Sequence, residues 1–290
     1  MKSKILLLAM VVQFFTSCVA PSYYQVYSTK SENLKKSGNA LQFENEYCLI
    51  TYNLWGNGGN VGFTIYNKTE KNLIVNLEDS YFIMNDLANN YYKNRIYSYS
   101  SNSGTSNSNF STNSTSILLN SLQSSSSNTA SRTNASSTTN SNSIGTLSSR
   151  GYSISYNEEK TVCIPSKTAK YISEYSITNL LYRDCELVRY PINKSDIKTL
   201  NFSKETSPFR FSNIITLKVE DSNTYQKIEN DFFVSEIANL PEKEMKISQY
   251  DEFCGKKSQT LSQYFKYNAP DRFFLFYTRT SSIGQIDNRK

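Results

Sequence analysis

The side chains that could carry out chemistry in this 290-residue sequence are carboxylates and thiols, because the chain contains no histidine. Histidine is the commonest general base and metal ligand, so its absence excludes Ser-His-Asp and Cys-His catalysis and His-ligated zinc within the chain. Two acids about 5 to 10 Å apart are sufficient for glycoside hydrolysis. The closely spaced candidates are Glu44, Glu46, Asp184, Glu186, Asp251 and Glu252.

Acids that lie close together in a sequence are more typical of a solvated surface than of an active site. No glycine pattern of a phosphate-binding or dinucleotide-binding loop occurs, since residues 56–59 have the wrong spacing. We therefore expect a non-catalytic protein without cofactor or metal. The alternative is a carboxylate-dependent polysaccharide hydrolase.

Residues 1–17 have the three zones of a cleavable secretory signal peptide. Lys2 and Lys4 give a positive start, an apolar stretch follows that only Gln13 interrupts, and two small residues precede Cys18. The apolar stretch is shorter than the roughly 20 residues that span a bilayer. The pattern predicts export.

The tetrapeptide Phe15-Thr16-Ser17-Cys18 resembles the lipobox of bacterial lipoproteins, although Phe15 replaces the usual leucine. The resemblance implies diacylglycerol on the Cys18 thiol, signal removal before Cys18 and acylation of the new amine with a fatty acid such as palmitate. Two or three chains anchor a protein stably. Val19 in place of aspartate, and the lack of acids in residues 19–23, imply the outer membrane and its periplasmic face.

The other four cysteines are predicted to lie in an oxidising compartment, where an even number indicates disulfides. We expect Cys163 and Cys185 to pair, because both are predicted to lie on strands a short hairpin apart. Closing that loop would stabilise the fold by about 3 kcal/mol in the chain-entropy model. Cys48 and Cys254 are the secondary candidates, and buried free thiols are the alternative.

Strand patterns dominate the sequence outside one polar tract. Residues 47–55 and 61–66 flank a Gly/Asn cluster, which predicts a hairpin. Turn signals recur about every ten residues, which favours a sandwich over βαβ units. A short helix is expected only at 258–267. Further strands are predicted at 73–77, 81–84, 152–156, 161–164, 170–177, 185–189, 198–202, 214–220, 232–237 and 272–278.

These patterns predict an all-β chain, an antiparallel β-sandwich with immunoglobulin-like character. We divide it into a signal peptide (1–17), a lipid anchor and tether (18–40), the first part of the β-rich domain (41–97), a low-complexity segment (98–149), the second part of the domain (150–280) and a flexible tail (281–290).

The segment 98–149 consists mostly of Ser, Thr and Asn. Such a composition buries too little apolar surface to offset the entropy of ordering, which predicts disorder. We interpret it as an insertion within one domain, since loop-closure entropy grows slowly with length. A linker between two domains is the alternative, and a functional role as a glycosylated or sticky spacer is a further hypothesis.

Tyrosine is the most suggestive residue type, with 22 copies beside 16 phenylalanines. Most are expected in the core, but Tyr91, Tyr92, Tyr97 and Tyr99 border polar turns, where exposed rings could contact a sugar or a protein. The net charge is +6, or +4 without Lys2 and Lys4, and is spread along the chain. We therefore expect no nucleic-acid partner.

Four motifs outside the polar tract resemble a family of uncharacterised lipoproteins from gut Bacteroidetes. They are Thr51-Tyr52-Asn53-Leu54-Trp55-Gly56-Asn57, Val162-Cys163-Ile164-Pro165, Tyr182-Arg183-Asp184-Cys185 and Pro270-Asp271-Arg272-Phe273. That family has no known activity, so the resemblance implies an envelope location and no mechanism. The sequence thus predicts a lipoprotein held in the membrane through Cys18, with a binding or structural role toward an envelope protein or a glycan.

Overall fold

The computed structural model describes residues 21–104, 149–280 and 283–287, and these residues are almost entirely β-structure. The helical elements in these ranges are one short helix, α1 (Glu242–Met245), and a 3-10 turn (Lys194–Asp196). The longer strand pairings are all antiparallel. The prediction of an all-β, antiparallel sandwich is confirmed.

The larger sheet has eight strands. Six follow one another in space, while β7 pairs with β6 and β13 pairs with β15. The predicted strands 161–164 and 272–278 are confirmed, whereas 73–77 and 81–84 are two parts of one strand, β6. The spatial order is β10 (Thr161–Ile164), β6 (Leu73–Met84), β14 (Arg210–Val219), β15 (Gln226–Pro241), β1 (Ser22–Lys30) and β18 (Arg272–Thr278), with β7 (Leu87–Asn90) and β13 (Thr199–Asn201) beside them.

The smaller sheet has five strands and contains the predicted hairpin. Tyr52 and Phe63 form the last strand pair before the connecting loop of this hairpin. Gly58 and Gly59 take φ of +83° and +77° in the connecting loop, which glycine adopts without steric cost. The spatial order is β11 (Ala169–Ile172), β5 (Phe63–Asn67), β4 (Cys48–Tyr52), β3 (Ala40–Glu44) and β2 (Lys35–Ser37).

The two sheets share one hydrophobic core. Cys48, Ile50 and Tyr52 alternate inward along β4, as the period of a strand requires. The Tyr52 ring meets the Phe232 ring of the larger sheet at 5.3 Å between centroids. Asn230 Nδ2, also on the larger sheet, donates to the Tyr52 hydroxyl over 2.8 Å. The sheets therefore pack face to face as a sandwich.

The prediction that residues 18–40 form a tether is wrong from Ser22 onward. Strand β1 lies inside the larger sheet between β15 and β18. Tyr23 and Tyr27 pack into the main core, while Tyr24 and Val26 pack into a second cluster on the opposite face. Because both faces are covered, the strand lacks the polar–apolar alternation by which half-buried strands are recognised.

Two further predictions fail in the second half of the chain. Residues 256–265 form strand β17 (Lys256–Phe265) instead of a helix, in a hairpin with β16 (Lys246–Phe253). Its turn residues Cys254 and Gly255 have φ of +51° and +73°, which is typical of tight hairpins. Residues 185–189 form a loop in place of the predicted strand.

The predicted flexible tail contains a strand. β19 (Gln285–Asp287) pairs in parallel with β12 (Leu181–Arg183), so the expectation for 281–290 is wrong at these positions.

The polar tract is flanked by paired strands, β8 (Ile96–Gly104) and β9 (Ser149–Asn157). The strands β8 and β9 include residues 98–104 and 149 at the two ends of the predicted segment, while residues 105–148 lie outside the described residues. Strands from before and after the tract, such as β6 and β14, pair within the same sheet.

Residues 1–20 also lie outside the described residues, and with them the predicted signal peptide and Cys18. Among the helical segments of the described chain, none is both long and apolar enough for a transmembrane span.

Candidate functional site

The feature of the surface that most resembles a binding site is the hairpin of β8 and β9, here called the tyrosine arm. The two strands pair over nine positions, from Ile96 with Asn157 to Gly104 with Ser149. In the part of the chain that the structure describes, neither strand pairs with any other. The arm therefore stands apart from both sheets of the sandwich.

One face of the arm carries three tyrosines and an isoleucine. Tyr97 pairs with Tyr156 and Tyr99 pairs with Ile154, and side chains two residues apart on a strand point to the same side. We call these four side chains the tyrosine face. Their exposed fractions are 37% for Tyr97, 58% for Tyr99, 57% for Ile154 and 52% for Tyr156. The Tyr97 and Tyr156 rings stack, with centroids 5.2 Å apart.

The opposite face of the arm is more polar, although Ile96 at its base is 70% exposed. Ser98 and Ser155 face each other there, with their hydroxyl oxygens 3.2 Å apart. The arm is thus amphipathic, with its apolar side uncovered. Large exposed apolar patches mark interaction sites in soluble proteins more often than scattered exposed residues do.

An ion-pair network holds the base of the arm. The Arg95 guanidinium donates to Glu158 Oε1 and, over 2.8 and 2.9 Å, to the two carboxylate oxygens of Glu174. Lys93 Nζ lies 2.8 Å from Glu174 Oε1. Glu158 Oε2 also accepts the backbone N–H groups of Lys93 and Arg95. Planar, multiply bonded pairs of this kind fix geometry as well as charge.

The network favours the charged forms of its members. Burial tends to raise the pKa of Glu158, but hydrogen bonds from the Arg95 side chain and from two backbone N–H groups hold that pKa below its ordinary value. Burial likewise opposes the charge of Arg95, yet its bonds to both glutamates raise its pKa. The carboxylate–guanidinium contact is therefore ionised at neutral pH.

Tyr175 connects this network to the core. Lys93 Nζ lies 4.6 Å from the Tyr175 ring centroid, and that ring stacks on Phe82 at 5.2 Å. The Tyr175 hydroxyl donates to the Asn90 carbonyl. The network at the base of the arm is thus linked through Tyr175 to Phe82 in β6 of the larger sheet.

The four tyrosines singled out from the sequence lie in three different environments. Tyr91 is buried and its hydroxyl donates to Asn213 Oδ1 over 2.6 Å, so the expectation of exposure is wrong for it. Tyr92 donates to Asn94 and lies under the Lys160 ammonium. Tyr97 and Tyr99 are the exposed pair, and both belong to the tyrosine face.

Comparison with protein-family models, with curated proteins and with solved structures gives no match. The resemblance to Bacteroidetes lipoproteins therefore stays a prediction from four motifs.

Three of the six carboxylates proposed for a hydrolase, Glu44, Asp184 and Asp251, are engaged in local contacts. Lys68 Nζ lies 2.6 Å from Glu44 Oε1 and lowers the pKa of Glu44. Hydrogen bonds from Tyr264 and Ser262 lower the pKa of Asp251. Both shifts favour the ionised form, whereas a glycosidase acid needs a raised pKa. Asp184 accepts the backbone N–H of Glu186 and shapes a turn.

The four described cysteines all have free thiols. Cys48 is buried and its burial raises its pKa to about 12, while Cys163, Cys185 and Cys254 are exposed. The expectation that Cys163 and Cys185 lie on strands of one hairpin is wrong, because β10 pairs with β6 and Cys185 follows β12 in a loop. The disulfide itself stays a prediction. Within the described ranges, no three side chains of the metal-binding types cluster.

The pairing of Ile154 and Tyr156 with Tyr99 and Tyr97 is not predicted from the sequence. Their signal was present as a period of two on both sides of the polar tract. The serine-rich composition of residues 98–103 obscures this alternation. Arg95, Glu158 and Glu174 carried no recognisable pattern, because the fold brings them together from distant positions.

Proposed function

We propose that this protein is an envelope lipoprotein, anchored through Cys18 at the periplasmic face of the outer membrane, and that the tyrosine face binds a protein partner of the envelope. The role is non-catalytic. The observation that carries the binding proposal is the tyrosine face itself, four half-exposed apolar side chains on one side of an arm.

An isolated two-stranded hairpin is at best marginally stable in water. Among the described residues, nothing pairs with the two outer edges of the tyrosine arm and its apolar face is exposed, and both are features that association with another chain covers. Tyrosine is enriched in such contacts because its ring buries a large area while its hydroxyl stays hydrogen-bonded. A protein partner uses the edges and the face together, whereas a glycan uses the rings alone.

The anchor proposal is supported by the signal-like segment 1–17 and by the lipobox-like residues before Cys18. Its test is metabolic labelling of the full chain with a palmitate analogue. We expect label on the wild-type protein and none on Cys18→Ser. A purified product with an intact Met1 and an unmodified sulfur would rule out the anchor.

The binding proposal is tested by placing a photo-crosslinking amino acid at Tyr99 in living cells. We expect one dominant crosslinked protein. We also expect that the Tyr99→Ser/Tyr156→Ser double variant no longer captures this partner on co-purification. Tyr225 provides the matched control, because it is 42% exposed but lies in the turn between β14 and β15, away from the arm.

The same variants decide between the partner classes. Crosslinks that are equally abundant from Tyr225 would show that the capture is nonspecific. Binding of the purified full chain to a glycan array, lost in the double variant, would replace the protein partner by a sugar.

A further inference from the structure

A groove lies at the end of the larger sheet where β1 begins and β15 ends. Its volume is about 600 Å³, within the range of small-molecule sites. We call it the basal groove. It is lined mainly by apolar side chains and by two cations, among them Pro21, Tyr23, Pro191, Ile192, Lys243 and Arg279.

The two cations of the basal groove form no close ion pair within the described residues, although Lys243 is near enough to Asp196 to help lower the pKa of that carboxyl. In the described part of the chain, neither Lys243 nor Arg279 forms an ion pair, and both are exposed. Glu242 also lines the groove, but its carboxylate is bound by Lys246 Nζ at 2.6 Å. The Arg279 guanidinium lies 5.4 Å from the centroid of the Tyr190 ring, which orients it. The groove therefore combines an apolar floor with two exposed cations at its rim.

The short spacer between Cys18 and the basal groove limits how far the groove can lie from a membrane that holds a lipid on Cys18. Pro21, in the groove wall, is three residues after Cys18. An extended chain spans at most about 3.6 Å per residue, so three residues reach roughly 11 Å. A lipid on Cys18 therefore holds this end of the sandwich within reach of the headgroup layer. A long tether would have left the orientation free, but β1 starts at Ser22.

We infer that the basal groove binds one anionic phospholipid of the membrane that holds the anchor, an inference that rests on the proposed acylation of Cys18. The phosphate lies between Lys243 and Arg279, where ammonium and guanidinium groups donate charge-assisted hydrogen bonds. The glycerol and upper acyl region lie against Ile192 and the prolines. Basic side chains beside an anionic leaflet strengthen membrane contact through the same attraction between cations and lipid phosphates.

The test uses the full chain, exported, purified in its acylated form and reconstituted into nanodiscs. The discs carry phosphatidylcholine with a minor fraction of photoactivatable phosphatidylglycerol or, in parallel, photoactivatable phosphatidylcholine. We expect crosslinks from phosphatidylglycerol to concentrate on peptides that contain residues 191–192 and 241–243. Lys243→Glu and Arg279→Glu are each expected to lower that yield about fivefold.

The matched control is Lys227→Glu, which makes the same charge change at the opposite end of β15. It should leave the yield unchanged. Equal yields from the two lipids, or crosslinks elsewhere on the surface, would overturn the lipid site. A detergent-stable dimer broken by Ile192→Glu would overturn it as well, because a second copy would then cover the groove.

The intact mass of the same sample separates the two proposals. An acylated Cys18 without groove crosslinks removes the lipid site and leaves the anchor in place. An unmodified Cys18 removes both.

Discussion

Strands β1 and β8 are both rich in tyrosine and serine, yet they occupy opposite environments. β1 lies between two neighbours in the larger sheet, and its tyrosines are covered on both faces. Within the described ranges β8 pairs with β9 alone, and Tyr97 and Tyr99 are exposed. Tyrosine is therefore structural in β1 and available for binding in β8. The number of neighbouring strands and packed layers decides how much of each tyrosine side chain stays exposed.

The contrast extends to the polar groups of each strand. Gln25 on β1 is buried, and its side chain bonds to Asn239, to Tyr27 and to the backbone of Tyr182. Ser98 on β8 has only Ser155 opposite it in an exposed setting. Buried polar groups must be satisfied within the protein, whereas water satisfies exposed ones. Substitutions in β1 should therefore affect stability, and substitutions in β8 should affect binding.

The largest expected effect comes from Tyr27→Ala. The Tyr27 ring is fully buried and stacks on Phe273 with centroids 4.4 Å apart. Removing a large buried aromatic side chain costs about 3 to 5 kcal/mol, so the free energy of unfolding in urea should fall by that amount. Tyr27→Phe keeps the ring and should cost about 1 kcal/mol. Equal losses for the two variants would contradict a packing role.

The sequence predicted most strands with one face in the core and one in solvent. β4 and β5 alternate visibly, and the Gly/Asn cluster between them marks their turn. β1 was missed because tyrosine, glutamine and serine in a strand covered on both sides give no alternation. Which strands become central depends on long-range pairing, and that pairing leaves no local signal.

For a related reason, only part of the tyrosine face was predicted from the sequence. Tyr97 and Tyr99 were recognised from composition and from neighbouring turns, but the same argument wrongly selected Tyr91. Distinguishing them required the contact of Tyr91 with Asn213, whose position 122 residues away is set by the sandwich. The ion-pair network of Arg95 is long-range in the same sense, since Glu158 and Glu174 follow the polar tract.

A smaller effect is expected at the base of the arm. Arg95→Met removes the guanidinium from Glu158, which is 8% exposed, and from Glu174. Because Arg95 itself is 37% exposed, solvent screening limits the loss to about 1 kcal/mol. Hydrogen exchange should show faster opening of β8 and β9, with little change in β1. Faster exchange throughout both sheets would contradict a local role.

The arm should also respond to acid. The folded pKa of Glu158 lies below its ordinary value of 4.5. The stabilisation is therefore complete above that value and is lost as the pH falls through the folded pKa. Amide exchange in the arm, corrected for intrinsic rates, should accelerate below about pH 4.5 in the wild type. Glu158→Gln should remove that pH dependence, and an unchanged profile would assign it to another carboxylate.

The smallest effect on stability, and the sharpest test of the comparison with β1, comes from Tyr99→Ser. The side chain is 58% exposed, so the free energy of unfolding should change by no more than about 0.5 kcal/mol. Partner capture should fall severalfold, because exposed aromatic anchors carry much of the energy of an interface. Urea titration and quantitative co-purification measure the two quantities on one preparation. A large loss of stability with capture intact would make Tyr99 a structural residue like Tyr27, and the functional distinction between the two strands would not hold.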